Sequence, residues 1–194
     1  MKKILLILTL IFTTSSSFSQ TKLYVHPDAD TYVANTKTIA ILPMKVQVKL
    51  RPKQLKDFSS EQIIEMGKNE SLDIQKGTYT WFLTRKKRGT MLVGVQNPAR
   101  TNALLKKNGI DIHSYDEYLP SELGEILGVE AVITGTYETS KPMSNGAAIG
   151  LALLTGGMFA TNSATMNMDF TSTIDDELVV NYHKKIKGSL GSDA

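Results

Sequence analysis

The sequence predicts an α/β fold: one three-layer-like domain, a mixed β-sheet flanked by helices, with a β-hairpin at its C-terminal end. Short apolar runs rich in β-branched residues recur at residues 38–44, 90–96 and 130–139, each the length of a buried strand. Helix-start signals, Ser59 with Gln62 and Asn97 with Pro98, fall between those runs. Two alternating segments then flank the acidic turn Asp175-Asp176-Glu177. Strand, helix, strand, helices, strand, hairpin is the order of a mixed sheet with helices packed on it. No period of 20–50 residues repeats, which excludes a solenoid or propeller.

Residues 1–19 read as an export signal: Lys2 and Lys3, an apolar stretch from Ile4 to Phe12, then small Ser17 and Ser19 on either side of Phe18. Cleavage is expected after Ser19 or, one residue later, after Gln20. Residues 20–36, with Pro27 and few apolar side chains, are expected to form an extended lead-in to a domain spanning residues 37–194. Residues 38–44 form a buried strand stopped by Pro43. In residues 45–53, Val46, Val48 and Leu50 share one face of a half-exposed strand.

The Ser59–Gln62 capping box opens a helix running to about Arg85. Leu72, Gln75, Tyr79, Phe82 and Lys86 share one of its faces, with Leu83 alongside, and Gly67-Lys68-Asn69 is an expected break. Residues 90–96 are a second buried strand. Asn97 and Pro98 then start a helix whose apolar side is Ala103, Leu104 and Leu105 and whose end is Asn108-Gly109. Ser114 with Glu117 repeats the capping box, and residues 121–127 form a short helix closed by Gly128. Residues 130–139 are the third core strand. In the final hairpin Met166, Met168 and Phe170 alternate with polar residues, and Leu178, Val180, Tyr182 and Ile186 mark one face of the return strand.

Composition excludes several kinds of function. The chain has no cysteine, which rules out disulfides and thiolate catalysis and leaves an expected export product without a lipid anchor. Of the formal charge of +3, two positives belong to Lys2 and Lys3, so the rest lies near neutral and lacks the strongly basic face nucleic acid requires. The cluster Arg85-Lys86-Lys87-Arg88 suits a helix C-terminus, where cations complement the dipole. His26, His113 and His183 have no second ligand at metal spacing, and no phosphate-binding glycine pattern or nucleophile elbow occurs. Asp175, Asp176 and Glu177 lack the glycine of a calcium loop and a basic partner, and read as a turn. Trp81, at helical spacing, reads as packing. Neither cofactor, metal nor catalytic residue is assigned.

The exception to an ordinary soluble composition is the stretch 142–168, where only Asp169, just beyond it, ends a run without charge. Its middle, GAAIGLALLTGGMFA at residues 146–160, carries Ile149, Leu151, Leu153, Leu154, Met158 and Phe159. Leaving those side chains in water would forgo on the order of 10 kcal/mol, comparable to the stability of a domain. The run must be covered by the chain's own core, another subunit or a bilayer. As a helix it would reach about 22 Å, short of a hydrocarbon core of about 30 Å. As a hairpin turning near Gly156 and Gly157, each arm would have the about 10 residues a membrane strand requires, with Gly150 and Ala152 turned away from lipid. Gly146 with Gly150, and Ala152 with Gly156, equally permit close helix packing.

The ordered set of elements resembles the curli production assembly/transport component family. The matching parts are the 38–44 strand, the helix with Gln75 through Leu83, Gln96-Asn97-Pro98-Ala99-Arg100 leading into Leu104-Leu105, residues 119–127, the 128–135 strand and the final hairpin. The fold is also similar to the N-terminal domain of the Tol–Pal translocation protein and to penicillin-binding-protein activator lipoproteins. The resemblance covers roughly residues 37–192. It implies a periplasmic α/β domain, with residues 141–170 as a membrane hairpin of a ring-forming channel. Channel-forming members are lipoproteins with two hairpins per subunit and a C-terminal helix. Here there is one charge-free insert, and the last strand leads only to GSLGSDA, so the sheet is expected to take a cover from the lead-in or from a partner.

The function expected is that of a non-catalytic exported protein of a Gram-negative-type envelope, in the periplasm or at the outer-membrane periphery. Its expected partners are envelope proteins, its own copies, or the outer membrane, and no nucleic acid. The other reading is a monomeric periplasmic module that recognises a peptide or envelope enzyme along an exposed sheet edge.

Overall fold

The computed structural model describes residues 20–50, 52, 54–91, 93–139 and 164–186. The expected export signal with Ser17 and Ser19, the run from Gly146 to Phe159, and residues 187–194 lie outside the described residues.

Among the described residues seven strands form one mixed sheet: β1 (Gln20–Val25), β2 (Thr38–Ile41), β3 (Lys45–Val48), β4 (Gly94–Val95), β5 (Ala131–Thr139), β6 (Ala164–Ser172) and β7 (Leu178–Ile186). Their spatial order is β1-β7-β6-β5-β2-β4, with β3 also on β5. β2 and β3 lie in line along one side of β5, both parallel to it, as one strand interrupted at Pro43. β6, β7 and β1 continue the sheet antiparallel.

Among the described residues four α-helices accompany the sheet: α1 (Ala29–Asn35), α2 (Ser60–Lys87), α3 (Pro98–Lys107) and α4 (Pro120–Leu127). Alternation along the central strands separates two cores. Ile39, Ile41, Ala131 and Ile133 meet Tyr79 and Phe82 of α2 on one face. Ala40, Leu42 and Val132 meet Leu105, Leu123 and Leu127 of α3 and α4 on the other. Each Ile, Leu, Val or Phe side chain among these, removed from water, contributes about 1.5–3 kcal/mol. The result is the three-layer α/β arrangement the sequence predicts.

The caps appear where expected. Ser59 accepts the Gln62 N–H at 3.3 Å and Gln62 Oε1 accepts the Ser59 N–H at 2.8 Å. Asn97 Oδ1 accepts the Ala99 N–H at 2.9 Å. Gly128 ends α4 in the left-handed region, φ 67°. The basic cluster from Arg85 forms the last turn of α2 and its cap. Trp81 packs edge-on against Phe82 at 5.0 Å, with Arg85 4.9 Å from its ring.

Several expectations need correction. The lead-in is not simply extended: it forms β1, paired with β7, and then α1, which starts from a turn in which Ala29 N–H donates to the His26 carbonyl. α2 is unbroken through Gly67-Lys68-Asn69, because a side chain at Gly67 would stand 3.2 Å from the Val46 carbonyl oxygen and glycine permits that approach. Its buried face is Gly67, Glu70, Ser71, Ile74, Gln75, Gly77 and Thr78, while Leu83 is exposed. The second core strand shrinks to β4, two half-buried residues. Ser114 makes no side-chain cap and precedes only a 3-10 turn, Tyr115–Glu117; Glu122, accepting the Leu119 N–H at 2.7 Å, starts α4 instead. Ala164 to Phe170, the end of the expected membrane hairpin, belong to β6 inside the sheet.

Candidate functional site

The two long edges of the sheet differ. Beyond the two residues of β4, the carbonyls of Ile41, at the end of β2, and of Met44, just before β3, are taken up by α2. Gln75 Nε2 donates to the Ile41 carbonyl at 2.7 Å and Ser71 Oγ to the Met44 carbonyl at 2.5 Å. Gln75 is itself locked by reciprocal 3.0 Å bonds with Asn102 of α3. At the opposite edge, every residue of β1 from Thr21 to Val25 is exposed. Leu23, Tyr24 and Val25 stand 62%, 46% and 50% exposed.

Register assigns the β1 side chains to two surfaces. On the α2 side, Leu23, Tyr182 and Met168 form one row and Val25, Val180 and Phe170 the next. The β6 and β7 members are half-buried, so an apolar strip runs out to the open edge. On the other side the rows are Tyr24-Asn181-Asp169 and Lys22-His183-Asn167. There Asn181 Nδ2 bridges Asn167 Oδ1 at 2.9 Å and Asp169 Oδ1 at 2.5 Å.

That polar surface leads into a hollow of about 280 Å³ lined by Lys45, Tyr115, Asp116, Tyr118, Thr134 and Asp169 among others. Lys45 and Asp116 form an ion pair, and hydrogen bonding from Lys45 holds the Asp116 carboxyl below its ordinary range. Burial pushes the Tyr115 hydroxyl well up. A second hollow of about 200 Å³ lies between β3 and α2 and includes His113, whose imidazole is held below its ordinary range chiefly by burial.

The acidic turn fastens the open end of the sheet. Tyr32 of α1 donates to Asp175 Oδ2 at 2.8 Å, and Ser121 of α4 donates to Asp176 through its N–H at 2.6 Å and its hydroxyl at 3.0 Å. His26 Nε2 lies 3.8 Å from Glu177 Oε1. This contact was not visible in the sequence, because His26 reaches the turn only through the β1–β7 pairing. Asp176 occupies the left-handed region, φ 61°.

The three histidines are not brought together: His26 is at this turn, His113 in the second hollow and His183 on β7. Among the described residues no group of three His, Asp or Glu side chains could hold a metal ion. No described helix is long and apolar enough to cross a membrane. Sequence reasoning missed β1 as an edge strand, although the alternation of Lys22 and Tyr24 with Leu23 and Val25 was the available signal.

No family model and no curated protein matches the chain. Among solved structures it is similar to the lipoprotein GNA1162 from Neisseria meningitidis, with 12% identity over 78% of this chain and 81% of that one, TM-score 0.48. The LpoB C-terminal domain from Salmonella enterica gives 6% identity over 83% and 93%, TM-score 0.37. PelC from Paraburkholderia phytofirmans, a dodecamer, gives 8% over 91% and 85%, TM-score 0.35. At such identities and TM-scores these likenesses carry no argument about partner or activity, and none of them carries the resemblance to the curli component family.

Proposed function

We propose that this chain is an exported, non-catalytic protein of the cell envelope that works as a binding module, with β1 and the β7 and β6 strands beside it as its contact surface. The observation that supports this is the exposure of β1 from Thr21 to Val25, in a fold where α2 takes up the Ile41 and Met44 carbonyls at the other edge of the same sheet. An exposed strand presents unpaired N–H and C=O groups together with side chains on both faces, the chemistry by which an extended segment is recognised. The partner is an envelope protein met in the periplasm or at the outer-membrane periphery.

A second reading, a component of a curli-type assembly or secretion apparatus, is favoured by the charge-free run with Ile149, Leu151, Leu153, Leu154, Met158 and Phe159. In that reading the run supplies a contact between subunits or with the outer membrane. Deleting residues 146–160 separates the two: loss of association or of membrane fractionation by a folded, soluble variant supports the second.

The first reading is tested by a photo-reactive amino acid placed at Leu23, Tyr24 or, as a control on α2, Lys76 in intact cells. Adducts to a defined envelope protein are expected from the two edge positions and not from Lys76. An edge that gives no adduct, or the same adducts as Lys76, removes the basis of the proposal.

A further inference from the structure

We propose that β1 pairs with β1 of a second copy, antiparallel about a two-fold axis at Leu23, joining two sheets into one. This rests on the reading above in one respect, that the open edge is the contact surface.

The β1–β7 register fixes which main-chain groups face outward. His26 N–H donates to the Val179 carbonyl at 2.8 Å, in continuation of the register that pairs Tyr24 with Asn181 and Lys22 with His183. Within an antiparallel strand the N–H and C=O of one residue point to the same side, and that side alternates. His26, Tyr24 and Lys22 therefore bond inward to β7, and Thr21, Leu23 and Val25 present their N–H and C=O groups outward.

A two-fold at Leu23 sets Leu23 opposite Leu23 of the second copy, and Thr21 opposite Val25. Every residue with outward groups then faces another with outward groups, and each pair exchanges both main-chain bonds. Side-chain chemistry selects this register over its neighbours. Centring on Lys22 would oppose two lysines, which is destabilising. Centring on Tyr24 would bring Pro27, with no N–H, opposite Thr21 and lose a bond. Centring on Leu23 puts Lys22, the only charge in β1, against the ring of Tyr24, a favourable cation–aromatic arrangement.

The faces match as well. Pairing of this kind keeps the same side of both sheets together, so the Leu23-Tyr182-Met168 rows of the two copies meet in one apolar strip. β1 itself carries no proline, and its ladder to β7 has no register shift, so of the charge, proline and bulge that protect natural edges only the charge of Lys22 is present, and the Leu23 register sets it against Tyr24. A six-residue strand spans only about 20 Å. The contact lies at the small end of specific interfaces and forms a concentration-dependent dimer.

Because the chain has no cysteine, an introduced thiol is the only one present. In the purified full-length exported form, Leu23→Cys is expected to form a disulfide-linked dimer under mild oxidation, since paired Cα atoms about 5.5 Å apart suit a disulfide. A mixture of Lys22→Cys and Tyr24→Cys is expected to give the heterodimer in preference to either homodimer. Leu23→Lys should lose the doubled mass in sedimentation while keeping the wild-type circular dichroism and melting curve.

A wild type that stays monomeric over its soluble range, or a Leu23→Cys that links no faster than the exposed Glu125→Cys on α4, overturns the proposal. If that happens while Leu23 captures a different envelope protein in cells, the pairing fails and the binding-module reading stands. If Leu23 captures nothing at all, both fail.

Discussion

Along β2 and β3 the outward carbonyls of Ile41 and Met44 end on Gln75 and Ser71 of α2, whereas along β1 the corresponding groups of Thr21, Leu23 and Val25 meet no helix among the described residues. One sheet thus has an edge built into the core and an edge offered outward. The difference is physical before it is functional. A buried main-chain acceptor costs about 1–3 kcal/mol if left unmade, so the edge under α2 must be satisfied internally. Groups at an exposed edge are satisfied by water and remain available for exchange with another strand.

The largest expected effect compares equal truncations at the two edges. Ile41 is fully buried, and Ile41→Ala should cost about 3 kcal/mol. Leu23→Ala, at a residue 62% exposed, should cost no more than about 0.5 kcal/mol. Urea denaturation at low protein concentration measures both. Equal losses would mean that Leu23 is already covered within one molecule, and the contrast between the edges would disappear.

Next in size is the seal itself. Gln75→Leu preserves apolar volume but strips the Ile41 carbonyl and the Asn102 amide of their partner, and should cost about 2 kcal/mol. A neutral or stabilising outcome in the same assay would show that water or a neighbour satisfies that carbonyl, and that α2 closes the edge by packing alone.

How much of this was legible depends on the range of the interaction involved. Caps are local, so Ser59 with Gln62, Asn97 and Gly128 announced their helices directly. The central strands were equally clear, because Ile39, Ala40, Ile41 and Leu42 are buried on both sides and their run is continuous. The buried face of α2 was not legible as a hydrophobic stripe, since it meets a strand edge and needs hydrogen-bonding Ser71 and Gln75 where a sheet face would take leucine. Leu83, which the apolar pattern placed near the core, is exposed for the same reason. β1 was hidden differently: its partner strand, β7, is at the other end of the chain, and the exposed residues from Thr21 to Val25 bury too little to stand out. The ties of the acidic turn to Tyr32, Ser121 and His26 depend on that pairing and were hidden with it.

The smallest effect concerns how the open half is fastened to the rest. The Tyr32 hydroxyl donates to Asp175, and that bond, with burial and the nearby carboxylates acting in the same direction, raises its pKa from 10.0 to about 12. Asp175 is shifted the opposite way, below the usual carboxylate range, by the Ser172 side chain first and Tyr32 second. A phenol whose folded value is raised contributes stability that is fully present below its unfolded value and is lost as pH rises through the folded one. The melting temperature of wild type minus that of Tyr32→Phe should therefore be positive at neutral pH and decline between pH 10 and about 12. Lysine titration is common to both proteins and cancels in the difference. The Asp175 contribution has the reverse sense, present above the unfolded carboxylate value and lost as pH falls through the lowered folded one, so the difference should shrink again in strong acid. A difference that stays level across the alkaline range would mean that the Tyr32–Asp175 bond does not hold α1, and with it the start of the open edge, against the acidic turn.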